Sequence, residues 1–405
     1  MSELASSTEG GATTTSERPS SPEGSAPGSS AARARARRPR GRPALYTSYA
    51  QNMALLNTRG KQVAILGLIV LALLLPFLLE DDLLRLLATG CVLSIGAIGL
   101  NLVTGYAGQV SLGHAFFLGV GAYTAAVVGG DPADEDVWGL GITFLPVWLL
   151  AAGAVAAVLG LIVAPLASRL RGLYLAIVTL GLVFIGEHLF REWDSLTGGA
   201  GVGRQAADPV LFGLDLSRRT ESFSGDQQMF WLMLVLLVVF ALVGRNIARS
   251  AVGRNFSAVR DRDIAAEITG VDVRRAKRRA FVVSSFYAGC AGALLYSILG
   301  YIDPASFGLL VSVQFIAMVL IGGAATISGS IMGAFFIALL PRLTQELPAY
   351  LPFLSASATE TPNVFQVNTL LYGLLIVIFL IFEPRGLFGL WVRARNYWKA
   401  WPFSY

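Results

Sequence analysis

Side chains that could carry covalent chemistry are sparse in this sequence. There are two histidines, His114 and His188, and two cysteines, Cys91 and Cys290. No G-x-x-x-x-G-K-[ST] phosphate loop and no H-E-x-x-H pair occurs, so the chain is not expected to hydrolyse ATP or to hold a catalytic zinc. Both cysteines fall in apolar stretches without a partner pattern and read as small buried residues, not as a disulfide or metal site. The expectation is a chain that is not an enzyme and binds no cofactor or metal.

The polar residues of interest are instead those embedded in apolar sequence. From Ser94 to Tyr123 the chain is apolar but broken by Gly105, Gly108 and Gly113, with Asn101, Gln109, Ser111 and His114 interspersed. Glycine-broken helices at membrane depth are tolerated where the freed backbone lines a cavity or packs on protein. These four residues are candidates for lining a translocation path or fixing its gate; the alternative is that they bond helix to helix. Gln314, mid-span in SVQFIAMVL, has the same two readings. Glu187 and His188 end another apolar run. Ionisable residues inside a membrane are costly and point to function, but near the interface a charge reaches water at little cost.

The elements that must position them are helices. The 405 residues are 54% apolar and only 14% charged, the composition of an all-α polytopic membrane protein. At ~20 residues per crossing, ten spans are expected near 62–79, 83–103, 110–129, 143–166, 173–190, 228–244, 280–300, 305–323, 327–347 and 366–382. Residues 1–61 hold nine basic and four acidic side chains, which accounts for the whole net charge of +5. This Ser/Gly/Pro/Arg-rich tail is expected to be disordered, and the pI says nothing about nucleic acid. Acidic clusters follow the first and third spans, and basic ones follow the fourth, sixth and last. With both termini cytoplasmic, every strongly basic connection lies inside. The domain reading is a tail over 1–61, a permease domain over 62–390 and a C-terminal tail over 391–405.

The most basic connection is Arg245–Ala280, with ten basic residues against four acidic. Its middle reads as a short helix capped by Ser257 and stopped by Gly270 in the left-handed conformation. Anionic lipid headgroups would attract such a loop.

The run AVRDRDIAAEITGVDVRRAKRRAFVVSSFYAGCAGALL resembles the cytoplasmic loop and following span of ABC-transporter permeases of the branched-chain amino acid family. The run N-L-x-x-G-Y-x-G-Q-x-S-L-G-H-A-x-F, beginning at Asn101, matches the LivM-like branch of that family residue for residue, and Ile321–Gly333 and Pro384–Gly389 extend the likeness over about residues 60–390. The resemblance implies a coupling helix that sits in a cleft of an ATPase subunit. On this sequence it carries over to Ser257, Arg260, Asp261, Ala265, Ala266, Glu267 and Gly270. The order Ala265-Ala266-Glu267 departs from the strict Glu-Ala-Ala form. A carboxylate near Glu187 followed by Thr197-Gly198-Gly199 also fits the family, as a candidate outer gate or docking element with His188. The implied partners are a LivH-like partner permease, two ABC ATPases that hold the ATP, an extracytoplasmic binding protein, and membrane lipid, in a bacterial plasma membrane. The implied cargo is leucine, isoleucine or valine, with urea or short-chain amides as alternatives. An ion-coupled secondary transporter would need ionisable residues near mid-bilayer, for which only His114 is a candidate. A channel or scaffold would need no coupling helix.

Overall fold

The computed structural model describes residues 59–170, 172–199, 201–207, 209–211, 214–215, 223–345, 364–383 and 385–400. The expected disordered tail up to residue 58, and the proline-bearing segment 348–363, lie outside them. The chain divides into units 1–65 and 66–405. Residues 59–65 open helix α1 (Arg59–Leu78).

α2 (Asp81–Asn101) starts with Asp81 and Asp82 in its first turn, where acidic side chains complement the helix dipole. It runs into a π-helical turn, Leu102–Tyr106. After an irregular stretch come α3 (His114–Gly129), α4 (Leu145–Arg169), α5 (Leu173–Glu192) and the single turn α6 (Asp194–Thr197). Short strands β1 (Arg204–Gln205), β2 (Val210–Leu211) and β3 (Leu214–Asp215) precede α7 (Gly225–Arg249), α8 (Ala251–Asp261), α9 (Asp263–Ile268) and α10 (Val273–Leu299). Then follow β4 (Tyr301–Ile302), a 3₁₀ turn at Pro304–Phe307, α11 (Leu309–Gly322), α12 (Ile327–Gln345), α13 (Val364–Phe382) and α14 (Gly386–Ala400). β1 pairs antiparallel with β4, and β2 with β3. α14 runs unbroken across 390 and 391, where the sequence reading sets the boundary between the permease domain and the C-terminal tail.

α2 and α10 form the centre. In each, 78% of the most apolar window is buried, against 28% in α7. α10 packs on α4, α3 and α2. Residues such as Leu161, Ile162, Phe184, Ile185 and Val238 are exposed on the peripheral helices, as a hydrocarbon surround requires. The expected close approach in Ile321–Gly333 is present: a Cβ on Gly322 would lie 2.0 Å from the Gly329 carbonyl oxygen.

All ten apolar segments contain helix, but the count of ten crossings is too firm. Among the described residues six helices are long and apolar enough to cross a membrane, or seven if α13 and α14, bent by 45°, form one span. α3 and α11 have 16 and 14 residues. At ~1.5 Å per residue they rise about 24 and 21 Å, short of a hydrocarbon core of about 30 Å. The apolar runs that predicted them include irregular backbone at 110–113 and the 3₁₀ turn at Pro304–Phe307, and hydropathy does not distinguish such backbone from a continuous α-helix.

Candidate functional site: the basic loop and the broken span

The basic loop folds as an elbow of two helices, not one. Ser250, not Ser257, caps its start: Ser250 Oγ accepts from the backbone N–H groups of Val252 (3.1 Å) and Gly253 (3.5 Å). Ser257 lies inside α8, where its Oγ donates to the Gly253 carbonyl at 3.3 Å. Both serines fit a cap by type, but only Ser250 has the extended backbone (φ −73°, ψ 175°) that a cap needs. Phe256 and Val259 bury the inner face of α8. Arg262, extended, separates α8 from α9.

α9 ends as the sequence predicts. Gly270 has φ +85°, its N–H bonds the Glu267 carbonyl at 3.0 Å, and the Val271 N–H bonds the Ala266 carbonyl at 2.9 Å. This paired closure is the Schellman stop. Lys277 on α10 fastens the elbow through a 2.8 Å ion pair with Asp263, with side-chain exposures of 7% and 19%. Ala266 is buried beneath α9, whereas Ile264 and Ile268 are 69% and 82% exposed. Ala265, Glu267 and Asp261 are exposed as well.

Arg260 turns the other way. Its Nη1 donates to the Gly105 carbonyl at 3.0 Å, and its Nε to Asp261 at 3.1 Å. Gly108, at φ +68°, lies so close that a Cβ there would be 2.8 Å from Arg260 Cγ. The loop therefore rests directly on the break between α2 and α3.

Around that break the four candidate polar residues share one buried zone. Asn101, fully buried, accepts from the Ala325 N–H at 2.8 Å and donates to the Thr326 carbonyl at 2.9 Å and Ser330 Oγ at 2.7 Å. It stitches the end of α2 to the turn between α11 and α12. Ser111 Oγ accepts from the Gly113 N–H at 3.4 Å. His114 lies against Phe315, with ring centroids 4.8 Å apart. The side-chain amide of Gln109 and Nε2 of His114 are buried without hydrogen-bond partners. Gln314 is only half-buried on α11. Thr179 and Ser312 were not singled out from sequence, yet Thr179 Oγ1 accepts from the Leu112 N–H (2.9 Å) and Ser312 Oγ from the Ala115 N–H (3.0 Å). The only sequence signal for them is a lone hydroxyl in an apolar helix.

Glu187 and its neighbours lie at the other end of the bundle. Glu187 accepts from Arg191 at 2.5 Å, and His188 is exposed. Thr197 is fully buried, donating to the Phe190 carbonyl at 2.8 Å. Gly198 and Gly199 line a depression of about 1080 Å³ whose wall also carries Asp131, Asp134, Asp136, Asp194 and Arg204. Arg204 is 5% exposed, and its guanidinium donates to the Leu196 (3.1 Å) and Trp138 carbonyls. Burial lowers its pKa from the ordinary arginine value. The structure thus gathers the loop and broken-span candidates at one end and the Glu187–Gly199 candidates at the other.

A family model described as "Branched-chain amino acid transport system / permease component" matches residues 83–394. The high-affinity branched-chain amino acid transport system permease protein LivM of Escherichia coli K12 is 31% identical over 348 residues, covering 82% of this chain and 76% of the relative. The autoinducer 2 import system permease protein LsrC of Klebsiella pneumoniae is 34% identical over 29% of this chain and 34% of its own length. The xylose transport system permease protein XylH of Escherichia coli K12 is 33% identical over 26% of this chain and 29% of its own. No solved structure matches. With a family match over 83–394 and a LivM relative aligned along most of both chains, this chain belongs to the family of branched-chain amino acid transport system permease components.

Proposed function

We propose that this chain is the membrane-spanning permease subunit of an ATP-driven ABC importer for leucine, isoleucine and valine. The observation that carries this is the elbow. A short helix with two exposed isoleucines, Ile264 and Ile268, is clamped to the bundle by Lys277 and Asp263 and rests through Arg260 on the broken span. Such an arrangement suits a lever that an ATPase grips on one side and that moves the spans on the other. ATP is bound and split by two partner ATPases; this chain holds no cofactor. A LivH-like permease completes the translocation pathway. The depression lined by Gly198, Gly199 and the aspartates faces outward and receives the binding protein. Both termini and the elbow are on the cytoplasmic side of the plasma membrane.

Uptake of labelled leucine into vesicles holding this chain with its partner permease, ATPases and binding protein, with and without ATP, tests this. ATP-dependent uptake competed by isoleucine and valine is expected. ATP-dependent uptake of urea or an amide instead changes the cargo and keeps the class. Uptake driven by an ion gradient without ATP overturns the class.

A further inference from the structure

An apolar slot opens between α4 and α10 at the elbow end of the bundle. It has a volume of about 340 Å³ and is lined by Leu161, Val282 and Val283 together with Arg275, Arg278 and Arg279. The spacing 275, 278, 279, 282, 283 is the i, i+3, i+4, i+7, i+8 stripe of one helix face, so guanidinium groups and apolar side chains follow each other along a single ridge. Arg275 is engaged by Asp272 at 2.9 Å. No carboxylate pairs with Arg278 or Arg279 among the described residues, and Leu161 is 56% exposed. Arg278 feels the Asp272 charge without a direct ion pair, and Arg279 has no ion pair among the described residues; two such neighbouring arginines lining an apolar slot at a helix end fit one kind of molecule. It has an anionic phosphate for the guanidinium forks and an acyl chain for Leu161, Val282 and Val283.

We infer that the slot is a binding site for an anionic phospholipid of the leaflet at the elbow end. The inference uses the membrane orientation proposed above only to name that leaflet as the cytoplasmic one. The lipid would tie α4 to the first turns of α10, the same turns that carry Lys277 and so hold α9 in place.

The test uses the full chain in nanodiscs, alone and with its partner permease, without ATP, so it is independent of the transport assay. Retention of phosphatidylglycerol against phosphatidylcholine is measured by native mass spectrometry. The wild type is expected to prefer phosphatidylglycerol, and the double variant Arg278→Gln/Arg279→Gln to lose that preference by on the order of tenfold. Leu161→Trp leaves both arginines but fills the slot, and is expected to lower retention as well, which separates the site from general surface charge. Glycerol phosphate, which lacks acyl chains, is expected not to compete; competition by it would reassign the site to a free phosphate and overturn the lipid. Equal retention of both lipids by the wild type overturns the inference. So does protection of Leu161→Cys from labelling only when the partner permease is present, which would make the slot a subunit interface.

Discussion

Asn101 and Arg260 illustrate what single residues do in this chain. Asn101 makes three hydrogen bonds across a sequence separation of more than two hundred residues. Interhelical hydrogen bonds in membranes average about 0.6 kcal/mol each, so Asn101→Leu is expected to destabilise the chain by roughly 2 kcal/mol, more if the Ala325 N–H is left without a partner. The check is the unfolding midpoint of the purified chain in detergent; an unchanged midpoint would show that Asn101 does not stitch the bundle. Arg260 is expected to act on transport as well as on stability. Its bond to the Gly105 carbonyl is charge-assisted, a class worth about 1.5–3 kcal/mol. Arg260→Ala should therefore lower leucine uptake per ATP hydrolysed by roughly tenfold while hydrolysis continues. Parallel loss of uptake and hydrolysis would place Arg260 with the ATPase contact instead. The sequence made both residues visible, one as a polar side chain in an apolar run and the other as part of a basic loop. It did not show their partners, because Thr326 and Gly105 contribute only backbone groups, which leave no trace in residue type.

At the scale of elements the elbow shows where sequence reasoning succeeds and where it stops. Gly270 was legible because a left-handed terminus favours glycine, and the residue type follows the backbone. The split into α8 and α9 was not legible, because Arg262 carries no helix-breaking signal and its extended backbone is available to any residue. Nor did type reveal that Ile264 and Ile268 point away from the bundle, since an apolar residue in a short helix reads as core. Ile268→Glu should leave folding intact, as the side chain is 82% exposed, and weaken capture of the ATPase subunits in a pull-down by about tenfold or more. Normal capture with normal uptake would remove α9 from the ATPase contact. α10, which anchors the elbow, is capped by Asp272, whose carboxylate accepts from the Arg275 N–H at 2.9 Å. That bond, then the nearby Arg275 and Arg278 charges, hold the Asp272 carboxyl below the usual carboxylate range. A depressed folded-state pKa means that the cap's contribution is present above the ordinary carboxylate pKa and is lost as pH falls through the lower folded value. Hydrogen exchange at the Arg275 amide should therefore accelerate only in that acid window, and the acceleration should vanish in Asp272→Asn.

For the whole molecule, the course of the helices separates the two groups of candidate residues. α3 begins beside the break that Arg260 touches and ends at Gly129, on the wall of the depression, while α4 begins by Thr143 on that wall and ends at Arg169 beside Glu267 and Lys277. The elbow and the depression therefore lie at opposite ends of the bundle. The acidic residues that sequence placed outside, Asp131, Asp134 and Asp136, line the depression, and Arg169, placed inside, stands beside Glu267 and Lys277 of the elbow. Apolar runs and charge signs were enough to find ten helical segments; they leave the number of crossings loose because residue type does not report where an α-helix gives way to other backbone. Orientation can be tested directly, since Cys91 and Cys290 are both buried and give little background to a thiol reagent. In intact cells a membrane-impermeant maleimide is expected to label Asp134→Cys, and to label Ile268→Cys only after the membrane is opened. The reverse pattern would turn the chain over and move the elbow away from any cytoplasmic ATPase. Labelling of both from one side would contradict the placement of depression and elbow at opposite ends, and with it the transmission from α9 through Arg260 to the broken span.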